Sequence, residues 1–253
     1  MQRFIVRGAL AGVAGTIASV LTLLLLGETS IREAIALEDA RNAAAGIEPE
    51  AMFSRPQQVL GGSIGLILFG LFIGTVFGIV YAANRHRLGG GSNWQRARRL
   101  GVIAFVAVYL VPFLKYPPNP PAVGDPETIS QRTTAYVSLL VISVLAVVIA
   151  AALRDVLRKR DVPAYYAQPA GFVLWLAIVG VAMTLLPANP DQVEISVNLA
   201  WAFRMSSAAG QAAFWFVGAT VFGWLMVRDE VRAERRAQVP VTGGHEPGTV
   251  ATP

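Results

Sequence analysis

Six long stretches of this chain contain no charged residue, and this spacing of the charges constrains the fold most. The stretches are 8–27, 56–84, 100–114, 133–153, 162–190 and 205–227. A helix needs about 20 apolar residues to cross the hydrocarbon core of a bilayer. Hydrophobic residues make up 54% of the 253 positions and charged residues only 15%, too few charges to coat a soluble domain. The sequence therefore predicts an all-α, polytopic membrane helix bundle with about six transmembrane helices.

The predicted bundle occupies residues 1–236, and the Pro-, Gly- and Thr-rich segment 237–253 is predicted to be a disordered cytoplasmic tail. The spans are placed near 8–27, 58–83, 97–115, 133–153, 170–187 and 205–227. The third has only 15 uncharged residues, and its flanking basic side chains must extend to the interfaces. The fifth follows Pro169, and for both segments a half-membrane or re-entrant helix is the alternative.

The basic residues predict the orientation of these spans. Segments that alternate along the chain carry 15 Lys and Arg residues on one side and six on the other. The richer side belongs in the cytoplasm, so both termini are predicted to be cytoplasmic in a multi-pass protein of the cell inner (plasma) membrane. The pI near 10.0 then reports topology, and no nucleic-acid partner is expected. Ten of the 16 acids fall outside, which would concentrate cations there, although the positive-inside bias alone accounts for such an excess.

Glycines recur at helical spacing in the first two spans. They are Gly8, Gly12 and Gly15, then Gly61, Gly65, Gly70, Gly74 and Gly78. Small residues on one helix face let another backbone approach closely in lipid. We interpret both strips as packing surfaces rather than as parts of a transport route.

Polar residues inside the spans form two stripes. The sixth span carries Arg204, Ser207 and Gln211 at steps of three and four, flanked by Trp201 and Trp215, and the fourth carries Arg132, Tyr136 and Ser143. Residues at these steps share a helix face. Two stripes that each begin at an outer arginine either line a cavity open to the outside or hold the bundle together by interhelical hydrogen bonds. The residues leave both interpretations open.

The outer loops add two local patterns. Ser30 followed by Glu33 resembles a capping box and predicts a surface helix over about 31–45, which contains Glu38. Further on, five prolines lie between 117 and 126 and predict a stiff, extended connector. Asp125 before Pro126 resembles a helix N-cap, which is favoured over a metal-binding role for this carboxylate.

Three segments of the chain resemble the CbtA family, whose members are described as membrane subunits of a predicted cobalt transporter. The first segment is Gly27-Glu28, Ile31, 34–38 and Ala40, and the last is Trp201, Phe203-Arg204, Ser207, Gln211 and Trp215. The most specific segment is 112–117, followed by 119–121, 123–126, Thr128-Ile129, Arg132-Thr133 and Tyr136. The resemblance covers about residues 4–227.

This resemblance implies a cobalt (divalent metal) uptake function linked to cobalamin supply. It also implies a small single-span partner of the CbtB type with a histidine-rich tail, alongside the lipid bilayer as surroundings. Cobalt, or another divalent cation, would be the substrate, and no resident cofactor is expected. The candidate metal contacts are Glu28, Glu38, Asp125 and Glu127. The candidate pathway or structural polar residues are Lys115, Tyr116, Asn119, Arg132, Tyr136, Arg204, Ser207 and Gln211.

Two other functions compete with transport. A non-transporting scaffold or assembly subunit could dock a partner through the Pro-rich outer loop, and the glycine strips fit it equally well. A lipid-modifying enzyme is disfavoured, because the sequence contains no HExxH, no paired aspartate motif and no phosphate-binding GxxxxGK[ST]. The chain is therefore predicted not to be an enzyme, and formation of a homo-oligomer is left open.

Overall fold

The computed structural model describes residues 1–46, 53–121, 123–190 and 195–237. Its helices are α1 (Gln2–Leu26), α2 (Glu28–Ala44), α3 (Arg55–Asn84), α4 (Asn93–Ala104), α5 (Val111–Lys115), α6 (Ile129–Lys159), α7 (Ala164–Leu185) and α8 (Val197–Ala237). A π-helical stretch (Phe105–Leu110) joins α4 to α5, and a 3-10 turn (Pro126–Thr128) precedes α6. These ranges contain no strand.

Six of the described helical segments are long and apolar enough to cross a membrane, which confirms the predicted all-α bundle. They are Gln2–Leu26, Arg55–Asn84, Asn93–Lys115, Ile129–Lys159, Ala164–Leu185 and Val197–Arg232. The third reaches 23 residues because Ser92 and Gln95 form a capping box that starts the helix before the uncharged stretch. The fifth is expected to start near 170, but α7 begins at Ala164 and contains Pro169 in its interior. The proline removes one backbone hydrogen bond without ending the helix.

Helix α2 begins earlier than the Ser30–Glu33 pattern predicts. Only Gly27 separates it from α1, and the amide of Gly27 still donates to the Leu23 carbonyl at 2.7 Å. Ser30 is buried rather than exposed as an N-cap. The capping-box prediction was therefore wrong: the chain turns at Gly27, where the missing side chain allows contact with Ser206 of α8.

The glycine strips pack α1 against α3, as predicted. A Cβ on Gly12 would lie 2.8 Å from the Cα of Gly74, so the two backbones meet with no room for a side chain. The strip on α1 serves a second neighbour, because Gly15 faces Gly218 on α8. On α3, a Cβ added at Gly61 or Gly65 would meet no described atom within 4 Å, so only the later glycines of that strip pack.

Two apolar cores hold the bundle. One lies among α1, α3, α4 and α8, where Phe222 packs edge-on against Phe77 at 5.3 Å and against Tyr81 at 4.9 Å between ring centroids. The second lies among α5, α6 and α7 around the fully buried Leu139. Many large apolar side chains outside these cores are exposed, as lipid-facing side chains must be.

The two ends of the bundle differ in charge. We call the end that carries Arg7, Arg99, Lys159 and Asp229 the basic face, and the opposite end, which carries the connector between α5 and α6, the loop face. On the basic face Arg7 of α1 pairs with Asp229 of α8. The predicted tail after Ala237 lies outside the described residues.

Candidate functional site

A cavity of about 330 Å³ lies on the loop face. We call residues 116–125 the proline loop. This loop forms one wall, the first turns of α6 form the second, and the connector that follows α7 forms the third. The polar side chains that line it in the described ranges are Tyr116, Asn119, Gln131, Arg132, Thr133, Tyr136 and Asn189. The structure thus brings together four of the sequence-predicted polar residues: Tyr116, Asn119, Arg132 and Tyr136.

Two contacts tie the junction of α5 and the proline loop to the end of α7 and the connector that follows it. The ammonium group of Lys115 donates to the Met183 carbonyl at 2.7 Å, and the Tyr116 hydroxyl donates to the Pro187 carbonyl at 2.6 Å. Burial raises the pKa of Tyr116, so its hydroxyl remains protonated and keeps donating. The stiff connector predicted from its prolines is therefore also braced from outside.

A third contact ties the middle of the proline loop to α8. Arg204 donates to the Asn119 side-chain oxygen at 3.0 Å and to the Pro118 carbonyl at 3.4 Å. Arg204 is half-buried, and its positive charge is directed at neutral oxygens of the loop. Arg204, Ser207 and Gln211 of the predicted α8 stripe do not line the cavity. The stripe is connected to the cavity only through the contact of Arg204 with the proline loop.

The rest of the α8 stripe meets a different part of the bundle. Ser207 lies 3.4 Å from the hydroxyl of Tyr109, which belongs to the π-helical stretch, while Gln211 is half-buried further along α8. Tyr109 escaped the sequence analysis, although a tyrosine in the middle of an uncharged stretch was a visible signal. π-Helical turns are frequent at functional sites.

In α6, Ser143 is fully buried, and its hydroxyl has no hydrogen-bond partner among the described residues.

The candidate metal contact Glu28 is occupied by arginines. Its carboxylate receives Arg55 at 2.8 Å and Arg32 at 3.0 Å. Hydrogen bonds from Arg55 and then Arg32 hold the pKa of Glu28 below its ordinary value. A carboxylate whose charge is already balanced by two guanidinium groups is a poor cation ligand.

The three other candidate metal contacts lie away from Glu28 and its two arginines. Glu38 is exposed on α2. Asp125 accepts the Glu127 backbone N–H at 2.9 Å, which supports the predicted capping role, and Glu127 itself is exposed. Across the described ranges, no three His, Cys, Asp or Glu residues lie close enough together to hold a metal ion. Metal binding by these four acids stays a prediction.

The cavity chemistry is that of neutral oxygens beside one guanidinium. Among the described residues that line it there is no carboxylate. The Arg132 guanidinium donates to the Asp125 carbonyl at 3.1 Å, and this bond holds the positive charge of Arg132 at the end of the proline loop. Hydroxyl and amide groups of this kind can exchange hydrogen bonds with the water shell of an ion, but they bind a bare cation weakly.

Comparison with known proteins places this architecture in one family. The family model CbtA, described as "Probable cobalt transporter subunit (CbtA)", matches residues 1–227. Neither a curated protein nor a solved structure matches the chain. The matched range contains all six membrane-spanning segments except the end of α8, and it includes the whole proline loop. The chain belongs to the CbtA family of probable cobalt transporter subunits.

Proposed function

We propose that this chain is the membrane subunit of an uptake transporter for cobalt or another divalent metal, which enters from the loop face. The observation that carries this proposal is the family match together with a braced, polar cavity built from the proline loop. In this proposal the protein lies in the cell inner membrane with both termini in the cytoplasm. It supports transport rather than catalysis.

The composition of the site makes a metal-binding partner necessary to this proposal. The chain contains two histidines and no cysteine, and the cavity wall offers no carboxylate in its described part. Cobalt is well matched by imidazole ligands. We therefore assign selectivity to a small single-span subunit with a histidine-rich tail, and we assign the membrane passage to this chain.

Within the passage, the polar residues have separate roles. Tyr116, Asn119 and Tyr136 line the entry cavity, while Ser207 and Gln211 lie deeper on α8. Lys115, Arg132 and Arg204 hold the proline loop through contacts with carbonyl or amide oxygens. Cationic side chains that are fixed in this way hold the entry open, and the acidic residues of the loop face raise the local cation concentration.

Uptake of radioactive cobalt by cells that express the chain, with and without the small partner, tests this proposal. We expect uptake above that of empty cells when both subunits are present. Asn119→Ala should reduce it severalfold, whereas Asn198→Ala, at an exposed position near the start of α8, should leave it unchanged. Uptake equal to that of empty cells in both settings, with the protein present in the membrane, would exclude the transport role.

A scaffold function is the second candidate, and the bracing of the proline loop favours it. Tyr116 bonds the connector after α7, and Arg204 of α8 bonds Asn119, while Lys115 of α5 anchors the start of the loop on Met183. These contacts fix the loop as a ledge on the loop face, and a fixed surface suits protein docking. Recovery of a stable complex with another membrane protein, without any metal-dependent change in uptake, would favour this function over transport.

A further inference from the structure

A second, larger cleft opens on the basic face, far from the proline loop. Its volume is about 1620 Å³, above the range of about 300–1,000 Å³ that is usual for small-molecule pockets. One wall is the α3–α4 connector with α4, the opposite wall is α6 with the start of α7, and Phe216 and Ala219 of α8 form its floor. The cleft therefore lies between the two apolar cores.

The walls of this cleft are strongly basic. Six cationic side chains line it: Arg87, Arg98, Arg99, Arg154, Arg158 and Lys159. In the part of the chain that the structure describes, Asp155 is the only carboxylate among the lining residues. Asp155 already accepts Arg87 at 3.1 Å and Arg154 at 2.9 Å. The lining keeps a net formal charge of five, so the cleft attracts anions and repels the proposed metal substrate.

The same cleft is apolar toward the bilayer. Val102, Val156 and Phe216 line it, and each exposes between 45% and 47% of its surface. A soluble anion would contact the basic groups and leave these side chains without a partner. An amphiphile with an anionic head satisfies both parts of the cleft, because its head contacts the cations and its tail covers the apolar floor.

The cations also lie at the right depth for a lipid headgroup. Arg98 and Arg99 belong to the first two turns of α4, and Arg154, Arg158 and Lys159 belong to the last turns of α6. Ends of spanning helices lie at the level of the phosphates. Arg98 is held over the Trp94 ring at 4.4 Å, and Arg99 is held by the Leu88 and Gly90 carbonyls at 2.9 and 2.7 Å, so both are positioned before a ligand arrives.

We propose that this cleft binds an anionic phospholipid, whose phosphate contacts the cations of α4 and α6 and whose acyl chain lies along Val102, Val156 and Phe216. The bound lipid would join the two halves of the bundle on the basic face. This inference is independent of the metal that the protein moves.

The test measures phosphatidylglycerol binding to the purified full chain in detergent by native mass spectrometry, with phosphatidylcholine as the neutral comparison. We expect retention of phosphatidylglycerol and little retention of phosphatidylcholine. The double variant Arg98→Gln with Lys159→Gln removes one cation from each wall. Each basic residue near a headgroup strengthens lipid affinity about fivefold, so the affinity of this double variant for phosphatidylglycerol should fall about 30-fold.

A matched control removes the same charge from elsewhere on the basic face. Arg160→Gln with Arg232→Gln changes two exposed cations that do not line the cleft, and its affinity should stay within about twofold of the parent. Arg98→Lys with Lys159→Arg keeps both charges and should retain binding, which separates charge loss from misfolding.

Three results would overturn the proposal. The first is equal retention of the two lipids by the parent protein, which would indicate an apolar surface or a site for a partner helix. The second is an equal loss in the cleft variant and the matched control. The third is displacement of phosphatidylglycerol by millimolar inorganic phosphate, which would indicate a site for a soluble phosphate.

Discussion

Arg204 of α8 donates a hydrogen bond to the side-chain oxygen of Asn119 in the proline loop, at 3.0 Å across 85 positions of sequence. The same guanidinium contacts the Pro118 carbonyl at 3.4 Å. A half-buried arginine that serves two neutral acceptors fixes a loop more firmly than prolines alone can, because prolines restrict φ without fixing where the loop lies. The cavity on the loop face therefore depends on α8, although no described residue of α8 lines it.

Loss of this contact should loosen the proline loop. Arg204→Ala is expected to lower the free energy of unfolding by about 1.5–3 kcal/mol, the usual contribution of a hydrogen bond from a charged group. The rate of hydrogen exchange should rise for the backbone amides of 116–125, while the rate for the amides at the α1–α3 contact should not change. Arg228→Ala, an exposed arginine on the same helix, is the control. Unchanged exchange in the loop of Arg204→Ala would contradict the bracing role.

The glycine contact between α1 and α3 should not tolerate a methyl group. A Cβ at position 12 would meet the Gly74 backbone at 2.8 Å, so Gly12→Ala is expected to destabilise the protein by about 1–3 kcal/mol. Gly65→Ala, on the open face of α3, should be neutral or slightly stabilising because alanine favours helix. Thermal melts in detergent compare the two variants, and equal melting temperatures would refute this packing.

The salt bridges of Glu28 with Arg55 and Arg32 should make the stability of the protein sensitive to acid. The arginines Arg55 and Arg32 hold the pKa of Glu28 below its ordinary value of 4.5. Its stabilising contribution is therefore complete above pH 4.5 and is lost as the pH falls through the lower, folded-state pKa. The melting temperature of the parent protein should fall between pH 7 and about pH 3. In Glu28→Gln this fall should be about 2–4 °C smaller.

The control for this pH effect is Glu38→Gln, which changes an exposed carboxylate on the same helix. It should keep the acid sensitivity of the parent protein. If Glu28→Gln and the parent lose the same melting temperature on acidification, the pair with Arg55 does not stabilise the fold.

The proposed orientation predicts opposite labelling of the two faces. The chain contains no cysteine, so a single introduced cysteine reports its own side of the membrane. Ser130→Cys on the loop face should react with a membrane-impermeant maleimide in intact cells, and His86→Cys on the basic face should react only after permeabilisation. Both positions are exposed. The reverse pattern would place the termini outside.

The spans and the cavity differ in how far the sequence could predict them. The six spans follow from local runs of apolar residues, because every charge in lipid is costly and marks a span end. The loop signature likewise named Tyr116, Asn119, Arg132 and Tyr136, which do meet. The third wall of the cavity, at Ala188 and Asn189, had no such signal, because its role comes from chain sections that lie far apart in sequence.

What the sequence determined by itself is thus the number of spans, their approximate ends and the unequal charge of the two faces, since each depends on residues close together in the chain. The tertiary structure decided which residues meet. Gly65 and Gly74 share the same spacing pattern, yet only Gly74 faces α1. Glu28 is a candidate metal contact from the sequence alone, and only the tertiary structure places Arg55, 27 positions away, against its carboxylate. Such partners depend on how helices pack side by side, which local apolar patterns do not specify.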